Sequence, residues 1–141
     1  MADYLPSAKN VYLVQATSVD RNKATFTVTE VLRGKAVLNL TLEIYPGGES
    51  YTPKSEWLLV SCTPHGLSHA SVGWAMKGDC GWIPAKVVRQ TGKIYIVDWT
   101  SRISAVEKEP FGIKWDVTPD GVRCLTLDHV KLILQQTPKK P

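Results

Sequence analysis

Four residues between positions 62 and 80 have the types and spacing to bind a metal. Cys62, His65, His69 and Cys80 stand as C-x2-H-x3-H-x10-C, thiolate and imidazole donors that zinc accepts as a tetrahedral set. On a helix, the His-x3-His pair would present both rings together. The segment "HGLSHASVG" reads as loop, however, and neither pair reproduces a knuckle such as C-x2-C. A catalytic zinc would also need a base, and Asp79 is the one obvious carboxylate nearby.

The same cysteines offer a different chemistry. A disulfide between Cys62 and Cys80 would close a loop of 17 intervening residues. Such a bridge stabilises by about 3 kcal/mol, mainly by restricting the unfolded chain. This pairing is the expected one. Cys80 with Cys124 is the rival bridge, and unbridged buried thiols are the remaining alternative.

Nucleophilic catalysis finds little footing. Cys62 and His65 are too close in sequence for the usual Cys-His arrangement, and no Gly-rich oxyanion turn precedes the cysteine. Ser61, Ser68 and Ser71 sit in no G-x-S-x-G elbow. The carboxylate pairs Glu107/Glu109 and Asp116/Asp120 read as turn and solvent-face residues, "PGGE" is a turn without a following helix, and His129 reads as surface. The expectation is a protein that is not an enzyme and carries no cofactor. Recognition is the other use of this region. Trp74 and Trp82, and with them Trp99, lie in polar stretches where an indole can stack on sugars, bases or prolines.

The elements that must position these residues are mostly strands. In "ATFTVTEVL", Ala24, Phe26, Val28 and Leu32 alternate with threonines, the period-2 pattern of a half-buried strand. "LNLTLEIY" sets Leu38, Leu40, Leu42 and Ile44 on one face and Asn39, Thr41 and Glu43 on the other. "WLLVSC" is a continuous apolar run, as expected of a strand covered on both faces. "AKVVRQTGKIYIVDW" reads as two strands around a Thr-Gly turn, and "FGIKWDV" as a strand with Phe111, Ile113, Trp115 and Val117 on one face. "TPDG" is a turn. "TLDHVKLILQQ" is the one convincing helix, about 126–136, N-capped by Thr126, with Leu127, Val130, Ile133 and Leu134 on its apolar face. The expected fold is mainly β: an OB-like small β-barrel with one C-terminal α-helix, a sandwich being the runner-up. The 141 residues read as a single domain, with 1–10 as an N-terminal extension and 137–141 as a flexible tail.

Composition narrows the partners. A net charge of +4 with scattered lysines and arginines shows no basic stripe, so nucleic acid is disfavoured. No apolar run has the roughly 18–20 residues of a spanning helix. "MADYLPSAKN" lacks the basic start and apolar core of a secretory signal.

Several of these stretches resemble a known family. "VYLVQATSVD", "ATFTVTEVLRGK", "LNLTLEIYPGGESYTPKSEWLLV" and "MKGDCGW" resemble bacterial secreted domains of the netrin-like type, relatives of tissue inhibitors of metalloproteinases. Phe26, Val28, Val31, Leu32 and Gly34 match its F-x-V-x-x-V-L-x-G element. Trp57, Leu58, Leu59 and Val60 match its buried strand, and Cys80 stands where a later cysteine belongs. The resemblance spans about residues 11–82 and rests mainly on core pattern. It implies an OB-type barrel and an extracytoplasmic home, periplasmic or secreted, with a signal peptide removed. Protease inhibition does not carry over, because that mechanism needs an N-terminal cysteine and no cysteine precedes Cys62. A shorter stretch, "GWAMKGDCGWIPAKVV", is similar to the end of an SH3 domain, with Trp74, Trp82 and Pro84 at its groove positions. The acidic loop such a domain places upstream is missing.

These readings converge on a non-enzymatic extracytoplasmic binding module, using Trp74 and Trp82 to meet an unidentified protein or glycan partner. The first alternative is a zinc-binding or metal-dependent protein built on Cys62, His65, His69 and Cys80. The second is an OB-type oligosaccharide or nucleic-acid binder.

Overall fold

The computed structural model describes residues 5, 8–20, 23–44, 51–62, 75–77, 80–90, 92–97, 114, 116–119, 121 and 123–136. The fold is mainly β with a single C-terminal helix, as the alternation and the one capped apolar stripe imply. In chain order the elements are β1 (Val11–Val19), β2 (Lys23–Arg33), β3 (Asn39–Ile44), β4 (Glu56–Cys62) and β5 (Ala75–Lys77), then β6 (Cys80–Gln90), β7 (Lys93–Val97), β8 (Asp116–Val117), β9 (Arg123–Thr126) and α1 (Leu127–Gln136).

Among the described residues every ladder is antiparallel, and the strand order is β4-β1-β2-β3-β5-β6-β7-β9-β8. β4 also pairs with β6, which curls the sheet back on itself. Among the described residues, β5 meets β3 at Glu43↔Met76 and Ile44↔Ala75. The result is a strongly curled sheet, barrel-like and partly closed. Pro84 fits this layout. It stands in β6 between the end of the β5 ladder at Trp82 and the start of the β7 ladder at Lys86, where no described strand on that side asks for its missing N–H.

Side chains alternate across each strand, and in β1, β4 and β6 both sides are covered. On the concave side, Tyr12 and Val14 of β1 meet Trp57 and Leu59 of β4, Phe26 of β2 and Leu42 of β3. On the opposite side, Val11, Leu13, Leu58, Val60 and Ala85 pack beneath Val130 and Ile133 of α1. This two-sided burial is why "VYLV" and "WLLV" are unbroken apolar runs. In β2 and β3, by contrast, the outward face is polar: Thr25 Oγ1 and Thr41 Oγ1 lie 3.2 Å apart, and Thr27 donates to Asn39 Oδ1 at 3.3 Å. The helix starts as its sequence suggests. The His129 amide donates to Thr126 Oγ1 at 3.2 Å, an N-cap bond, and Asp128 follows in the first turn.

Three expectations need correction. Leu38 is 82 % exposed, outside the apolar face of β3, because the strand begins at Asn39 and Leu38 contributes only its carbonyl, to the Val28 amide. Val117 is 52 % exposed in the short strand β8; Phe111, Ile113 and Trp115 lie outside the described residues. The N-terminal stretch is not a mere extension. Leu5 is 0 % exposed within the helix-side core, and the Asn10 amide donates to Ser61 Oγ at 2.9 Å. The expected tail at 137–141 lies outside the described residues.

Candidate functional site

Most of the segment between Cys62 and Cys80 lies outside the described residues. His65, His69 and Trp74 lie outside the described residues, as does Trp99. Cys62 ends β4 opposite Gly81, while Cys80 opens β6 opposite Lys77 of β5. The side chains of Cys62 and Cys80 lie outside the described residues, and the expected 62–80 bridge with them. Cys124, the other candidate for bridging, is a free thiol. It is buried with Tyr95 and Val97, and burial, with the nearby Asp116 charge adding to it, pushes the thiol up from 9.0 to about 11. A thiol so held stays protonated near neutrality and is a poor nucleophile.

Trp82, expected to offer an exposed stacking face, is in the core at 4 % exposure. Inward parity places it beside Tyr12, with ring centroids 5.6 Å apart and planes at 29°. Its Nε1 finds no hydrogen-bond acceptor among the described residues. Pro84 is buried as well, so the SH3-like groove is not formed by these two residues. The reason is the strand itself: the Gly-flanked "CGWIP" reads locally as loop but is pinned between β4 and β5, which turns Trp82 into the curl.

Around Tyr12 the chain is tied by polar contacts. Tyr12 Oη donates to the Lys35 carbonyl, and Asn10 Oδ1 accepts from both Tyr12 Oη and the Lys35 amide, each at 3.1 Å. Gly34 makes the turn possible. Its φ is +100°, and a Cβ there would stand 2.1 Å from Asn10 Oδ1 and 2.6 Å from the Lys9 carbonyl oxygen.

Just beyond this turn lies a groove of about 640 Å³, walled by Glu30, Val31, Leu32, Arg33 and Gly34 on one side and by Lys131, Leu134 and Gln135 of α1 on the other. That volume is within the range of about 300–1,000 Å³ usual for ligand pockets. Its charges are already matched. Lys131 Nζ sits 3.0 Å from Glu30 Oε2. Arg33 donates through Nη1 to the Leu5 carbonyl at 2.9 Å and through Nη2 to the Leu134 carbonyl at 2.9 Å, which ties the N-terminal segment and the end of the helix to β2. Val31 is 37 % exposed at the opening. The sequence singles out Val31, Leu32, Gly34 and Leu134 only as core-pattern residues, and their meeting is not legible there: Arg33 and Leu134 are 101 positions apart. The one local hint is that strict alternation lapses at "EVLRG", the last turn of β2 before Gly34.

The chain matches no protein-family model, no curated protein and no solved structure. The groove and the polar outer face of β2–β3 therefore have to speak through their own chemistry.

Proposed function

We propose that this chain is a non-enzymatic binding module that works outside the cytoplasm, with a protein or a glycan as its partner. The observation that carries the reading is the open groove between the end of β2 and α1. It combines an accessible apolar wall, Val31 and Leu134, with cations that already have partners. Such a lining suits an uncharged or mixed ligand and offers a polyanion little, in keeping with the modest net charge of +4. The netrin-like resemblance over about residues 11–82 supports the extracytoplasmic setting.

A second reading has its own support. OB-type barrels use the face of strands 2 and 3 to bind oligosaccharides and oligonucleotides. Here that face carries Thr25, Thr27, Asn39 and Thr41. A glycan partner would meet these residues rather than the groove.

Two measurements test the proposal together. Native-spray mass spectrometry with thiol alkylation is expected to find no retained metal; one zinc per chain with protected cysteines would replace the module reading with the metal-dependent one. A glycan array probed with the labelled full chain separates the partners: saturable binding that Thr27→Lys abolishes selects the β2–β3 face and a glycan.

A further inference from the structure

One side chain holds three parts of the molecule at once. Arg33 is the last residue of β2 and lies across from Val11, where the N-terminal stretch enters β1. Its Nη1 donates to the Leu5 carbonyl at 2.9 Å and to the Ala8 carbonyl at 3.3 Å, and its Nη2 to the Leu134 carbonyl at 2.9 Å. Leu134 is in the last turn of α1, where the carbonyls have no partner within the helix. The helix dipole favours a cation there, yet that turn carries no basic residue of its own. Arg33 supplies the charge from a strand. The N-terminal stretch has a fixed end as well. The Asn10 amide donates to Ser61 Oγ at 2.9 Å and the Ser61 amide to the Asn10 carbonyl at 3.0 Å, which pins Asn10 to β4. Upstream of that pin, Leu5 and Ala8 are buried in the same core as Val130 and Ile133.

We propose that Leu5 and Ala8–Asn10 form a strap, hinged at Asn10, that Arg33 latches to the end of α1, so that strap and helix end release as one unit. The physical reason is that the guanidinium is shared. Ordering a long side chain costs rotamer entropy once, and both contacts benefit. When the strap leaves, the helix carbonyl alone must hold the side chain; when the helix end leaves, the strap must. Each contact therefore strengthens the other. Release uncovers the rim of the helix-side core, in which Leu5 is fully buried and Leu134 partly. Arg33 and Leu134 also line the groove, so the latched state is the one in which its two walls are tied together. This coupling is independent of what the groove binds.

Residue-resolved hydrogen exchange of the full chain tests the latch, with the Ala8 amide reporting on the strap and the Ile133 and Leu134 amides on the helix end. Arg33→Met keeps the stem and removes the donors. It is expected to speed exchange at both places by about ten-fold, while Leu58 and Leu59 of β4 stay protected and show that the chain is folded. Leu5→Ala is expected to speed exchange at Leu134 in the wild-type chain and not in the Arg33→Met background, where nothing joins the two ends. Leu5 shares a core with Ile133, so the second background decides. An equal effect of Leu5→Ala with and without Arg33 means packing alone and overturns the latch. An Arg33→Met chain that exchanges faster at Ala8 only, or at the helix end only, overturns it too. If Arg33→Met unfolds the chain, Arg33→Lys takes its place in both arms, since an ammonium keeps the charge and loses the two-sided fork.

Discussion

β4 and β3 belong to one curled sheet, yet they present their side chains differently. β4 buries Trp57 and Leu59 in the concave core and Leu58 and Val60 beneath the helix. β3 buries Leu40 and Leu42 on the concave side and turns Asn39 and Thr41 to water. The local backbone is the same; what differs is how many faces the rest of the molecule covers. The lesson is that apolar periodicity reports coverage. An unbroken run marks a strand between two layers, and alternation marks a strand with one layer and solvent. The polar face of β3 and the open groove beside β2 are both consequences of a helix that covers only part of the sheet.

The sharpest way to break this comparison is to truncate neighbours in each strand. Leu58→Ala and Leu59→Ala should each lower stability by about 2–5 kcal/mol, although they point to opposite sides, while of the β3 neighbours Leu40 and Thr41 only Leu40→Ala should do so. Thr41→Ala should stay within about 0.5 kcal/mol. Urea midpoints read all four; a mild Leu58→Ala would mean that the helix does not seal that side.

Next in size is a contrast of turns. Gly34→Ala should cost at least about 2 kcal/mol, because left-handed strain of roughly 1–2 kcal/mol is joined by the clash with Asn10. Gly92→Ala has φ of +77° and open space around it, so only the strain applies. Equal losses at the two glycines would deny that the Asn10 contact holds the groove turn.

A smaller effect belongs to the thiol. Cys124 has its folded pKa raised from 9.0 to about 11, so its contribution to stability is present below pH 9 and is lost as pH rises through about 11. By pH 10 the loss should be on the order of 1 kcal/mol, seen as the difference between the wild-type and Cys124→Ala pH–stability curves. Alkylation of the folded protein at pH 8 should be slow at this position, and rapid labelling would place the thiol nearer solvent than its burial in β9 implies.

Much of the fold was legible beforehand because its signals are local. The threonine alternation of β2, the Thr126 cap and the Leu127–Val130–Ile133 stripe each depend on neighbours within a turn or a strand. The Thr118–Gly121 turn is formed by the Gly121 amide donating to the Thr118 carbonyl at 2.8 Å, as "TPDG" suggests. Trp82 was misread for the same reason. Its glycine neighbours and nearby polar residues imitate a loop, and only pairing with β4 and β5 turns it inward. Leu5 gave no signal at all, since a single leucine before the first strand has no periodicity to read.

The sequence alone determined the class of the protein: mainly β with one C-terminal helix. Backbone propensity and side-chain alternation act over a few residues, and those are written in order along the chain. The tertiary structure decided which apolar residues are covered and where the groove beside β2 lies. Arg33 meets Leu134 and Leu5 only after β2, the N-terminal stretch and the helix have packed together. The groove forms where the end of β2 meets Lys131, Leu134 and Gln135 of α1, and no local pattern records that meeting.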